Sequence, residues 1–190
     1  MAQSSTTISS QKDHKVNITG TDISFTASSK TISATSTSLS NLAVRDLITI
    51  TGTANNNSTF TVKSVATNGL SITVEETVAT ETADGSTTTT IDYTGFVTDK
   101  YQGDGYYSQA DGVHTVAYHV LSTLTGSVKM QGSLATTPTE SDWFDIAGTT
   151  FTTDQSTTIF STNFTGNFVW VRAKASGTTA GSVMKILYNH

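Results

Sequence analysis

Cysteine is absent, proline occurs once, and charged residues make up only 13% of the chain. Each shortage excludes something. Without cysteine there is no disulfide framework, no thiolate metal site and no cysteine nucleophile. Basic residues are also scarce: 10 Lys and Arg stand against 15 Asp and Glu, giving a net charge of -5. Lys and Arg form no cluster, and between Lys63 and Lys100 six acids are met by no base. A phosphate backbone would be repelled there, so nucleic acid is not an expected partner. No apolar run is long enough to span a membrane, so no membrane partner is expected. The N-terminal Met-Ala-Gln-Ser-Ser-Thr-Thr-Ile-Ser-Ser lacks the basic and apolar regions of a secretion signal. Synthesis and folding in a cytosol are therefore expected. The sequons at Asn17, Asn56 and Asn163 are read as chance in so Thr-rich a chain.

What fills the chain instead is Ser and Thr, roughly a third of its 190 residues. They alternate with single apolar residues at a spacing of two, the pattern of half-buried β-strands. The expected class is all-β: a small barrel-like N-terminal domain followed by an antiparallel β-sandwich of jelly-roll kind. Residues 1–15 are polar and unpatterned and read as an arm that orders on contact with a neighbouring subunit. Residues 16–95 read as the small anchoring domain, with strands at Ile23-Ser-Phe25, Leu47–Thr51, Thr59–Val65 and Leu70–Val74. Asn68-Gly69 between the last two predicts a type I′ hairpin turn. Residues 96–104 read as a linker and 105–190 as the sandwich. Its expected core includes Val116, Tyr118, Val120, Val128, Met130, Trp143, Ile146, Phe168, Trp170, Val183 and Ile186.

Residues that carry chemistry are few and poorly placed. His114 and His119 are five apart, so a shared strand sends them to opposite faces, which does not suit a shared metal. Glu75 with Glu76, and Asp142 with Asp145, likewise differ by odd numbers and diverge, whereas acid–base hydrolysis needs converging carboxylates. Asp-Gly at 84, 104 and 111 fits turns better than calcium loops, whose alternating carboxylates are missing. No catalytic, metal or cofactor-binding residue is assigned, and no enzyme activity is expected. Tyr106 and Tyr107, flanked by Gly105 and Ser108, are the candidate ligand or interface contacts.

Two stretches carry a resemblance. One is Leu47-Ile-Thr-Ile-Thr-Gly-Thr-Ala-Asn-Asn-Asn-Ser-Thr-Phe-Thr-Val-Lys-Ser-Val65, with Leu70–Val74 and the acidic 75–81 that follows. The other runs through Gly105–Tyr118, Gln131–Ile146 and Asn163–Arg172. Together they resemble virion structural proteins of tailed bacteriophages, including cyanophages. The resemblance implies a capsid decoration or accessory subunit, or a head, neck or tail component, located in the virion. The implied partners are other virion proteins and further copies of the chain, a trimer by analogy. A short fibre whose sandwich binds host-surface glycan is the alternative.

Overall fold

The computed structural model describes residues 5–103, 112–154 and 156–189. In chain order the strands are β1 (Ser5–Ser9), β2 (Lys12–Asp13), β3 (Ile18–Gly20), β4 (Ile23–Thr26), β5 (Thr31–Ala34), β6 (Asp46–Thr51), β7 (Thr59–Val65), β8 (Ser71–Val74) and β9 (Thr89–Val97). There follow β10 (Tyr101–Gln102), β11 (Val113–Val120), β12 (Ser127–Ser133), β13 (Phe144–Asp145), β14 (Phe151–Thr152), β15 (Ile159–Thr165), β16 (Trp170–Ser176) and β17 (Ser182–Asn189). Helix among the described residues is limited to single 3₁₀ turns at Ala27–Ser29 and Glu140–Asp142. The chain divides into two compact units: Lys15–Phe96, and Met1–His14 together with Val97–His190.

The Lys15–Phe96 unit is a curled antiparallel sheet in the order β3-β9-β6-β7-β8-β5-β4. Alternation decides its two faces. Phe25, Ile32, Ile48, Ile50, Phe60, Val62, Ile72, Val74 and Ile91 point into one core. The other face is coated with hydroxyls that meet across strands, as Thr49 with Thr59 (3.0 Å) and Ser64 with Thr73 (2.6 Å). The Asn-rich turn after β6 is locked rather than loose. Buried Asn56 accepts from the Ala79 N–H (2.8 Å) and donates to the Ala79 carbonyl (3.2 Å) and to Glu81 (2.9 Å). The Glu81 backbone in turn brackets Phe25 on the edge of β4, at 2.7 and 3.0 Å. The turn at Asn68-Gly69 is not type I′. Positive φ occurs at Gly69 alone (67°), and its N–H closes a four-residue turn on Ala66 (2.9 Å). Asn68 instead uses its side chain to accept from the Leu70 N–H (3.0 Å). That local bond replaces the second positive φ that type I′ needs.

The other unit is a two-sheet sandwich. One sheet has the order β1-β17-β11-β15, with β2 also on β17. The other holds β13 and β14 on β12, then β16, then β10. Counting this unit's strands from one to eight, with β1 and β2 as the first and β13 and β14 as the fifth, the sheets read 1-8-3-6 and 5-4-7-2. That is the jelly-roll order, two interleaved Greek keys. Val116, Tyr118, Val120, Ile186 and Tyr188 of the first sheet are buried, as are Val128, Met130, Val171, Ala173 and Ala175 of the second.

The N-terminal residues are therefore not a free arm. β1 pairs with β17 from Ser5↔Asn189 to Ser9↔Ile186, Ile8 is 5% exposed, and the His14 N–H bonds Gly181 (2.9 Å). They form the first strand of the jelly roll, and the curled unit is an insertion between its first and second strands. Nor are 96–104 a plain linker: the Thr98 N–H donates to Ala173 (2.9 Å), and Tyr101–Gln102 add a strand to β16.

Three acids tie down turns in the same way. Asp84 and Asp154 open the sequences Asp-Gly-Ser-Thr and Asp-Gln-Ser-Thr. Each accepts from the N–H groups two and three residues on, and from the Thr hydroxyl. Asp22 accepts from the Thr37 hydroxyl and from the N–H groups of Thr35, Ser36 and Thr37. These bonds favour the charged form. The Thr37 hydroxyl and N–H hold Asp22 far below the usual carboxylate range. The Thr87 and Thr157 contacts do the same for Asp84 and Asp154. A carboxylate depressed on folding contributes stability that is complete above its unfolded value near 4 and is lost as pH falls. Unfolding midpoints in urea should accordingly be level from about pH 7 to 5 and drop below about pH 4. Asp22→Asn should flatten that drop, and a slope identical in the variant would contradict the assignment.

Candidate functional site: an aromatic and ionic face on the jelly roll

Strand alternation sends one set of β12 and β16 side chains away from the core. On β16 these are Trp170, Arg172 and Lys174; their partners on β12 are Ser133, Gln131 and Lys129. The 134–143 connection then folds over this face. Its 3₁₀ turn is started by a capping box, in which Thr139 and Asp142 each bond the other's backbone or side chain. This places Glu140 and Trp143 over Arg172. The guanidinium is 4% exposed and forks onto Glu140 at 2.9 and 2.7 Å, while its Nε–H donates to Gln131 (2.9 Å). The Trp143 ring lies over it at 4.3 Å. Beside it Lys129 pairs with Asp145 (2.5 Å), which also accepts from Gln131 (2.9 Å). Burial raises the Asp145 carboxyl, but the Lys129 and Gln131 bonds outweigh it and hold it below its ordinary value. At the other end Lys100 lies 4.2 Å over the Trp170 ring, whose Nε1–H donates to Thr136 (2.9 Å).

Both tryptophans are half-buried on this face and not in the core where their apolar neighbours in sequence would put them. The alternation of β16 already put Trp170 on the side of Arg172 and Lys174. Trp170→Ala should cost about 2 kcal/mol, less than the 3–5 kcal/mol of a fully buried ring. Urea unfolding followed by Trp143 fluorescence checks it.

The other residues singled out by sequence scatter. Tyr106 and Tyr107 lie outside the described residues, as do Asp104 and Asp111. His114 is fully buried: its Nδ1 accepts from the Tyr188 hydroxyl (2.6 Å) and its Nε2–H donates to Gly166 (3.0 Å). Phe164 stacks on it at 4.9 Å. His119 is on the opposite side of β11, lowered by burial and then by Lys185. Glu75 faces Lys63 (3.3 Å), whereas Glu76 accepts from the Thr61 N–H (2.7 Å) and hydroxyl (2.8 Å). Asp142 is spent in the capping box and Asp145 in its ion pair. Among the described residues no three His, Asp or Glu gather as metal ligands. No helix among them is long and apolar enough to cross a membrane.

A second feature is a cleft of about 440 Å³ at one side of the sandwich, where the edges β13 and β15 part. Phe144, Phe164 and Phe168 line it together with Asp145 and Asn163. Phe144 is 43% exposed.

No known family matches the chain, and no curated protein does. Among solved structures, the K1 cleaved adhesin domain of Lys-gingipain from Porphyromonas gingivalis W83 aligns at 9% identity over 92% of this chain and 95% of that one, with a TM-score of 0.30. That score is too low for the likeness to carry a fold or a function.

Proposed function

We propose that the protein is a non-enzymatic structural subunit of a tailed-phage virion, a capsid decoration or accessory protein, attached through its Lys15–Phe96 unit. The observation that carries this reading is how the polar groups of both units are used. Asp22, Asp84, Asp142 and Asp154 fasten turns, Arg172 and Glu140 brace a sheet, and His114 fills a core. The outer face of the curled unit is coated with hydroxyls that pair across strands. This is the chemistry of a stiff building block. The jelly roll recurs in viral capsid and lectin domains, an analogy at the level of fold. The sequence resemblance adds the phage setting. Antibody labelling of purified particles should place the protein at regular positions on the head, neck or tail. Particles that carry none of it would overturn the reading.

A second reading is favoured by the Trp143–Trp170 face. Two half-buried indoles, with the partly exposed Glu140 and Lys129 nearby, offer stacking surface with hydrogen-bonding groups at its border, which suits a glycan. On a glycan array, binding lost in Trp143→Ala and unchanged in a curled-unit variant such as Thr59→Lys would establish it. Silence of the intact protein across host-surface glycans would exclude it.

A further inference from the structure

We propose that β15 is a dimerisation edge, at which two copies of this chain pair antiparallel about Thr162 and join their jelly-roll sheets into one. This inference does not rest on the virion reading.

Open edges invite pairing, and chains blunt them with short strands, bulges, charge or cover. Among the described residues, the other edges of both units carry such devices. β10, β13 and β14 have two residues each and β3 has three. β1 is bulged between Thr7 and Ser9, and the charged β2 continues it. β4 is bonded by Glu81. β15 differs: seven residues, Ile-Phe-Ser-Thr-Asn-Phe-Thr, with no charge and no proline. Its ladder to β11 runs from Val113↔Thr165 to His119↔Ile159 without a bulge.

The ladder also fixes which backbone groups remain. The Val120 N–H bonds Thr158 (2.9 Å) and the Gly166 N–H bonds Gly112 (3.0 Å). The even-numbered residues of β15 thus face β11, and Ile159, Ser161, Asn163 and Thr165 point their N–H and C=O groups away from it, the Asn163 C=O accepting a bond from the Thr162 hydroxyl (3.3 Å) with one lone pair and keeping the other.

The sequence of β15 matches itself in one register. Pairing about Thr162 sets Ile159 against Thr165 of the second copy and Ser161 against Asn163. All four outward residues then fall in hydrogen-bonded pairs, about eight bonds in all. On the inner face Phe160 meets Phe164 of the second copy, and Thr162 meets itself. Apolar thus lies beside apolar and amide beside hydroxyl. The two-fold symmetry is that of an isologous dimer. The same addition carries Phe160 of the second copy, set against Phe164, toward the cleft lined by Phe144, Phe164 and Phe168, where apolar surface now meets water.

The register gives a direct test on the intact chain. Thr162 opposite itself is a non-hydrogen-bonded pair, with Cα atoms about 4.5 Å apart, within the range a disulfide spans. The chain has no cysteine, so Thr162→Cys introduces its sole thiol. On mild oxidation most of this variant should run as a covalent dimer on a non-reducing gel. Sedimentation equilibrium of the unaltered chain should show a monomer–dimer equilibrium. Ser161→Lys should weaken it roughly tenfold or more by placing charge on the edge, with the heat-unfolding midpoint unchanged at concentrations where both chains are monomeric. A chain that stays monomeric at high micromolar concentration would overturn the proposal. So would a dimer that Thr162→Cys does not trap. If Ser161→Lys does not fold, the cysteine trap decides alone.

Discussion

Tyr118→Ala is expected to destabilise the jelly roll by about 3–5 kcal/mol. Tyr118 is fully buried in β11, with the Phe160 ring 5.9 Å away. Truncation removes a large apolar surface and leaves a cavity that packed sheets cannot collapse. The phenol adds a polar link. Its O–H donates to the Thr149 carbonyl (2.9 Å), while the Thr149 hydroxyl donates to Ile146 (2.7 Å) and accepts from the Met130 N–H (3.1 Å). One hydroxyl thus ties the first sheet to a turn held on β12 of the second. Burial raises the phenol far above its ordinary value, so it stays a proton donor at all working pH. Tyr118→Phe keeps the packing, loses this bond and should cost about 1 kcal/mol. Both tryptophans lie in the jelly roll and none in the curled unit, so indole fluorescence during urea unfolding reports the unit in question. Equal losses for the two variants would show that the cavity does not matter and the bond does.

Much of this architecture is legible in the sequence, because the sheets obey a period of two. Ile48, Ile50, Phe60, Val62, Ile72 and Val74 alternate with hydroxyls along β6–β8 and are buried as that pattern requires. Val116, Tyr118 and Val120 follow the same rule on β11. β1 escapes it. Ser-Thr-Thr-Ile-Ser has one apolar residue, and its strand exists because β17, some 180 residues on, supplies the ladder. Local composition cannot show a partner so distant. The ionic face escapes for a related reason. Arg172 and Glu140 are 32 residues apart, and only the folded 134–143 connection brings them together. For Trp170 the signal was present: its position in the β16 alternation, rather than its apolar neighbours, gave its direction.

Glu140→Ala is expected to cost about 3 kcal/mol and to do so through Arg172. The two partners are unequally buried: the guanidinium side chain is 4% exposed, the Glu140 side chain 28%. Removing Glu140 therefore strands a nearly dry positive charge beside Gln131 and the Trp143 ring. Removing the cation instead leaves a carboxylate that water can reach. Breaking one side of such a pair costs more than the pair contributes, whereas replacing both sides with apolar groups is often near neutral. The double variant Glu140→Ala with Arg172→Met should accordingly recover most of the stability lost in Glu140→Ala. Thermal unfolding followed by indole fluorescence should show a fall of several degrees in the single variant and a much smaller one in the double. The Trp143 emission should shift as well, since the ring loses the cation beneath it in the double variant. A double variant as unstable as the single would mean that the fork stabilises the fold in its own right. The 134–143 connection would then depend on the charges themselves rather than on avoiding a stranded one.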